Sequence, residues 1–142
     1  MLKNVPQVIS PDLMSVMMSM GHGDEIVLAD GNFPAASNAQ RLVRADGLGV
    51  VELLEAMTQF FPLDTYAERP ATVMAVVPGD DVEPTIWEDY ERILSEAEGR
   101  EIELHEVARE EFYAAARKAF AVVATSETAL YANLLLKKGV VT

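Results

Sequence analysis

This chain predicts an α/β fold in three layers, a mostly parallel sheet flanked by helices with an antiparallel C-terminal strand pair. Three observations carry the prediction. Helical and extended patterns alternate along most of the chain, the arrangement that puts helices on both faces of a parallel sheet. Ala71 to Val77 is a near-continuous apolar run, the mark of a strand buried on both faces. The last two strands are joined by a few residues and no helix, too little for a parallel crossover.

The elements follow in order. Ser10 suits an N-cap, Pro11 the first helical position and Gly21 a stop. Between them Leu13, Met14, Val16, Met17, Met18 and Met20 leave only the thin polar stripe of Asp12, Ser15 and Ser19. So apolar a helix needs cover on nearly all sides, from the core or from a subunit interface. A strand is expected over Glu25–Ala29, an irregular stretch over Asp30–Ala39 and a short strand at Leu42 and Val43. A helix of about Val50 to Phe61 sets Leu53, Leu54 and Met57 against exposed Glu52, Glu55 and Gln59. The buried strand Ala71–Val77 precedes a helix from about Pro84, with Ile86, Trp87, Tyr90, Ile93, Leu94 and Ala97 on one face. Ile102 and Leu104 alternate with polar residues as an edge strand would. A helix of about Arg109 to Ala119 opens on Glu110 and Glu111 and closes on Arg117 and Lys118, as its dipole favours. Phe120–Thr125 and Asn133–Lys137 complete the set.

Composition bounds the function. A chain of 142 residues, half of them apolar, suits one domain over residues 1–142. The absence of cysteine excludes disulfides and thiolate metal sites. With no signal-peptide pattern and no apolar run longer than Ala119–Ala124, a cytoplasmic protein without membrane contact is expected. Eleven basic residues against 23 acidic ones give a net charge of −12, which would repel nucleic acid and anionic lipid. Thirteen of the acids lie between Asp80 and Glu111 and read as solvated surface. A neutral small molecule is the default ligand.

Candidate chemistry concentrates in two places. In Gly21-His22-Gly23-Asp24 the flanking glycines leave the imidazole uncrowded, and a histidine titrates near the pH a proton shuttle needs. The same His22 would equally serve to bond the last carbonyls of a helix. Asp30 ends a strand, where open α/β sheets place ligands, though an Asp before Gly31 also forms turns. Arg109 follows a strand and suits a ligand or a surface ion pair; Tyr131 and Asn133 open the last strand. With that strand antiparallel, His22, Asp30, Arg109, Tyr131 and Asn133 would meet at one rim. There is no Gly-rich dinucleotide or phosphate loop and no nucleophile elbow. His22 and His105 are the only imidazoles, and a metal on His22, Asp24 and Asp30 is disfavoured.

Gly21-His22-Gly23-Asp24-Glu25-Ile26-Val27, then Asp30 and Phe33-Pro34-Ala35, resemble the start of the L-fucose mutarotases and their relatives, the D-ribose pyranases. The likeness continues through Val43-Arg44-Ala45-Asp46-Gly47, Arg109 with Phe112-Tyr113, Lys118-Ala119-Phe120, Tyr131-Ala132-Asn133 and Leu135-Leu136-Lys137-Lys138-Gly139-Val140. Phe33-Pro34 and Lys137-Lys138-Gly139 lean to the fucose branch, whose members often carry His at position 32 and Gly at 126 and 132, where this chain has Asn, Ser and Ala. The resemblance implies a cofactor-free isomerase with His22 as the acid and with Asp30, Arg109 and Tyr131-Ala132-Asn133 on a neutral monosaccharide. It also implies a homo-oligomeric ring, commonly a decamer. For the reaction so implied, Tyr131 is the expected partner of His22 at the second oxygen. The alternatives are pyranase action on D-ribose, a sugar-binding protein without turnover, and a ring-forming scaffold.

Overall fold

The computed structural model describes residues 1–142. Six strands form one sheet in the order β2-β5-β1-β6-β3-β4. They are β1 (Glu25–Ala29), β2 (Leu42–Ala45), β3 (Ala71–Met74), β4 (His105–Val107), β5 (Ala121–Thr125) and β6 (Leu134–Lys137). The β1–β5, β2–β5 and β3–β4 pairs are parallel, and β6 runs antiparallel to both β1 and β3. The last strand therefore has the expected direction, but its neighbours are β1 and β3 rather than β5. β1 lies between the two, so residues 126–133 pass over the carboxyl end of β1.

Period-two alternation divides the core. Ile26 and Leu28 of β1 join a cluster with Leu13, Leu53, Met57, Tyr90 and Leu94, under α1 (Pro11–Ser19), α3 (Val50–Met57) and α4 (Ile86–Glu98). Val27 and Ala29 face the other way, onto Phe33, Phe112 and Ala116 of a smaller cluster under α2 (Ala35–Asn38) and α5 (Arg109–Lys118). The result is the three layers that the alternation of elements implies.

Local chemistry sets the boundaries. Ser10 Oγ accepts the Leu13 N–H at 3.1 Å and Pro11 opens α1. The helix ends on Met20 in extended backbone, so Gly21 follows the stop without forming it. Met17 is buried, whereas Met18 is 79% exposed, so α1 is not covered within one chain; Met1 and Leu2 beside it are also exposed. α3 stops at Met57, before Phe61, with Pro62 ahead. α2 forms inside the stretch expected to be irregular. The edge strand lies at His105–Val107 instead of Ile102–Leu104, because Ile102 is buried and its N–H bonds to Ser95 Oγ at 2.9 Å. α4 ends at Gly99, whose φ of 68° is a left-handed cap that glycine adopts freely. Gly139 meets a different demand. A Cβ there would lie 2.6 Å from the Leu63 carbonyl oxygen, so only glycine lets residues 62–64 close against the end of β6. No helix is long and apolar enough to cross a membrane.

Candidate functional site

At the carboxyl rim of β1 and β3 a cleft of about 280 Å³ opens, walled by Asp30, Phe33, Asp80, Arg109, Tyr131 and Asn133 among others. Asp30 follows β1 directly and is 8% exposed. Its Oδ1 accepts the N–H groups of Asn32 and Phe33, both at 2.9 Å. Asp30 is thus a turn-former and a cleft residue at once. Burial pushes its carboxyl above the usual aspartate range, against the pull of these amides and of Asn133. The Asn133 side-chain oxygen accepts the Asp30 N–H at 2.8 Å, and Asn133 lines the cleft beside Asp30.

Tyr131 occupies left-handed backbone, φ 58°, which is uncommon for a residue with a bulky side chain. α4 holds it there. Trp87 Nε1 donates to the Tyr131 carbonyl at 2.8 Å, and the Tyr90 hydroxyl donates to the Ala132 carbonyl at 2.7 Å. At its other end the crossing loop is fixed by Glu127, which accepts the Thr128 and Ala129 N–H groups at 3.0 Å and the Val50 N–H of α3 at 3.0 Å. The Tyr131 hydroxyl donates to Asp80 Oδ2 at 2.5 Å and accepts the Val77 N–H at 3.3 Å. Donation to Asp80 pushes the phenol above its ordinary range, while the positive charge of Arg109 acts in the opposite sense.

Arg109 is exposed at the start of α5, its guanidinium carbon 5.3 Å from the Tyr113 ring centroid. Tyr113 in turn lies 5.0 Å from Phe33, ring to ring, so an aromatic wall stands opposite the polar one. Ala132 does not line the cleft. Its side chain is wholly buried in the larger core cluster, on the side of the sheet away from the cleft-lining Tyr131 and Asn133.

His22 is elsewhere. It precedes β1 as Asp30 follows it, so the two sit at opposite ends of the same strand. Five residues at about 3.3 Å each hold the ends about 16 Å apart. The single rim expected for all five residues therefore forms with four, and no metal set of His22, Asp24 and Asp30 exists. No group of three or more His, Asp or Glu side chains is placed to hold a metal ion.

His22 does not bond helix carbonyls either. Its Nε2 lies 3.0 Å from Oδ1 of Asp64, and the Tyr66 ring is 5.3 Å from its own. Asp64 is 4% exposed and is tied to the end of β6 by its N–H on the Lys137 carbonyl, 3.0 Å. Burial pulls the Asp64 carboxyl upward, but the Tyr66 N–H and His22 outweigh it, and the group lies below the usual range. A carboxylate on Nε2 selects the tautomer with its proton there, so Nδ1 is the nitrogen free to exchange a proton. The His22 side chain is 44% exposed, open to a neighbour.

Asp64 and Asp80 went unread in the sequence. Asp80 belongs to the acidic run taken as solvated surface, and only its Pro78-Gly79 turn sets it apart. Asp64 sits in Leu63-Asp64-Thr65-Tyr66, a segment without periodicity.

A mixed α/β sheet with a small cleft at its carboxyl rim, where a few polar side chains converge among apolar and aromatic ones, has the build of a small-molecule site. The chain belongs to the RbsD / FucU transport protein family, whose pattern matches residues 3–141. Among its relatives, the fucose mutarotase of Homo sapiens is 54% identical over 98% of this chain and 94% of its own length. The L-fucose mutarotase of Actinobacillus pleuropneumoniae is 44% identical, over 99% and 97%. The crystal structure of the fucose mutarotase from Streptococcus pneumoniae in complex with L-fucose superposes with a TM-score of 0.94. It is 48% identical, over 99% of this chain and 100% of that one.

Proposed function

We propose that this protein is a fucose mutarotase, a cofactor-independent isomerase that interconverts the α and β anomers of L-fucose by opening and reclosing its ring. The observation that carries the reading is a cleft of sugar size, with polar side chains set among apolar ones, in a chain that matches fucose mutarotases over its whole length. At about 280 Å³ the cleft falls below the roughly 300–1,000 Å³ of drug-sized sites and suits a single sugar ring. The full-length matches favour fucose over D-ribose.

Ring opening breaks the bond between C1 and the ring oxygen. The ring oxygen must gain a proton and the anomeric hydroxyl must lose one; reclosure on the other face reverses both. Nothing in that sequence calls for a metal, a nucleotide or a covalent intermediate. Tyr131 exchanges the proton of the anomeric hydroxyl. Asp30, Arg109 and Asn133 hold the remaining hydroxyls, Asp30 as acceptor, Arg109 as donor, Asn133 through its amide. The Phe33 and Tyr113 rings suit the methyl group of a deoxy sugar.

His22 supplies the proton at the ring oxygen, and it reaches the cleft from a second copy. Two features support this: the distance of about 16 Å along β1 from Asp30 in its own chain, and the exposure of an imidazole already oriented by Asp64. An assembly also gives the uncovered α1 face with Met18, Met1 and Leu2 something to bury against. A closed ring, a decamer, in the cytoplasm completes the reading.

Magnetisation-transfer NMR between the anomeric protons, with catalytic amounts of protein, tests it. Exchange accelerated for L-fucose, and less for D-ribose and other aldoses, is the expected result. Binding without acceleration would make the protein a sugar-binding relative; faster exchange of D-ribose than of L-fucose would make it a pyranase.

A further inference from the structure

We infer that Asp80 is a positioning residue of the reaction, the terminal proton acceptor of a relay that reaches the sugar through the Tyr131 hydroxyl. The inference rests on the mutarotase reading and deepens it. The Tyr131 hydroxyl has one proton and gives it to Asp80 Oδ2 at 2.5 Å, while its oxygen also takes the Val77 N–H at 3.3 Å. With its own proton committed, Tyr131 faces the cleft as an acceptor. A neutral phenol is a feeble base by itself, and donation to a carboxylate holds it neutral rather than as phenolate. It becomes an effective base when its proton leaves for Asp80 as another arrives.

The step balances. The anomeric O–H gives its proton to Tyr131 Oη, the Tyr131 proton moves to Asp80 Oδ2, and the C1–O1 bond becomes a carbonyl as the C1–ring oxygen bond breaks. The ring oxygen takes its proton from Nδ1 of His22, which begins the cycle as the imidazolium with its Nε2–H on Asp64 and becomes neutral. On reclosure protonated Asp80 returns its proton through Tyr131 to O1, and the ring hydroxyl returns one to His22. No proton is gained or lost, and both residues end as they began.

The surroundings support a relay over mere bracing. Asp80 is exposed, on a turn of Pro78 and Gly79 outside the core, and makes no ion pair. The backbone of Tyr131 is already fixed by Trp87 and by Glu127, and Asn133 by Asp30, none of which involves Asp80. What Asp80 alone supplies is a basic oxygen on the phenol.

Asp80→Asn separates position from proton acceptance, because an amide oxygen still accepts the Tyr131 hydroxyl bond but does not take its proton. Anomer exchange of L-fucose is measured for the wild type, Asp80→Asn, Asp80→Glu, Tyr131→Phe and the Asp80→Asn/Tyr131→Phe double variant. The expected result is a loss of about 10²-fold in kcat for Asp80→Asn with KM unchanged. Glu at the same position recovers part of the rate, and the double variant is no slower than Tyr131→Phe alone. A proton inventory in mixed light and heavy water curves for the wild type and straightens in Asp80→Asn. A full-rate Asp80→Asn, or losses that multiply in the double variant, overturns the inference and leaves the mutarotase reading standing. A wild type that accelerates no exchange overturns both.

Discussion

At the carboxyl end of β1 the chain walls in a cleft and points a buried carboxylate, Asp30, at its contents; at the amino end of the same strand it leaves an imidazole open to solvent. In the proposed mechanism each end pairs a proton carrier with an aspartate, Tyr131 with Asp80 and His22 with Asp64. The pairs are built in opposite ways. At the cleft the carrier is anchored and its aspartate is exposed, whereas at the other end the aspartate is buried and the carrier projects. The difference fits the proposed mechanism, in which one end holds the ligand and the other is presented to one. Two such half-sites on a single chain make sense when copies meet head to tail, the contact that generates rings.

The largest effect comes from separating the halves. His22→Ala and Tyr131→Phe should each lose about 10²–10⁴-fold in anomer exchange. Mixed assemblies, formed by refolding the two inactive variants together, should recover activity that neither has alone. A mixture that stays inactive would break the comparison, because both groups would then belong to one chain's site.

Stability distinguishes the ends at the next level. Asn133→Ala strips the Asp30 N–H of its acceptor in a buried place and should cost about 1–3 kcal/mol in denaturant unfolding. A cost no larger than the roughly 0.5 kcal/mol of a surface change would mean the cleft is not built on that bond.

The smallest effect is in the sign of the pH dependence. Asp64 lies below its ordinary range, so its contribution to stability exists above the unfolded value, about 3.9, and is lost as pH falls through the folded one. Asp30 lies above it, so its contribution is present at low pH and is lost as pH rises through its folded value. Stability curves for Asp64→Asn and Asp30→Asn, each subtracted from the wild type, should slope in opposite directions on the two sides of the unfolded value of about 3.9, the Asp64 difference rising with pH below it and the Asp30 difference falling above it. Parallel slopes would erase the electrostatic contrast between the two ends.

The layers were legible in the sequence because each rests on local pattern. Ser10-Pro11 marked α1, the acidic start and basic end marked α5, and the apolar run marked β3. The site was half legible for the same reason. Asp30, Arg109, Tyr131 and Asn133 adjoin strand ends, and strand direction alone collects them. His22 was misplaced although the sequence held the answer: residues flanking one five-residue strand cannot share an end. The partner of β6 was out of reach, since β1 inserts between β5 and β6 through contacts a hundred residues apart along the chain. Asp64 and Asp80 gained their roles only from what the fold brings to them.

Tyr131 stands in a backbone region that costs a non-glycine residue about 1–2 kcal/mol, and α4 holds it there through Trp87 and Tyr90. That gives α4 two unlike faces. Its outer face, with Glu88, Glu91 and Glu96, is exposed and can change without moving Tyr131. A change at Trp87 or Tyr90, by contrast, is read out at a hydroxyl on another element. The helix works as a brace whose failure shows at a distance, in the aim of a side chain it does not itself carry.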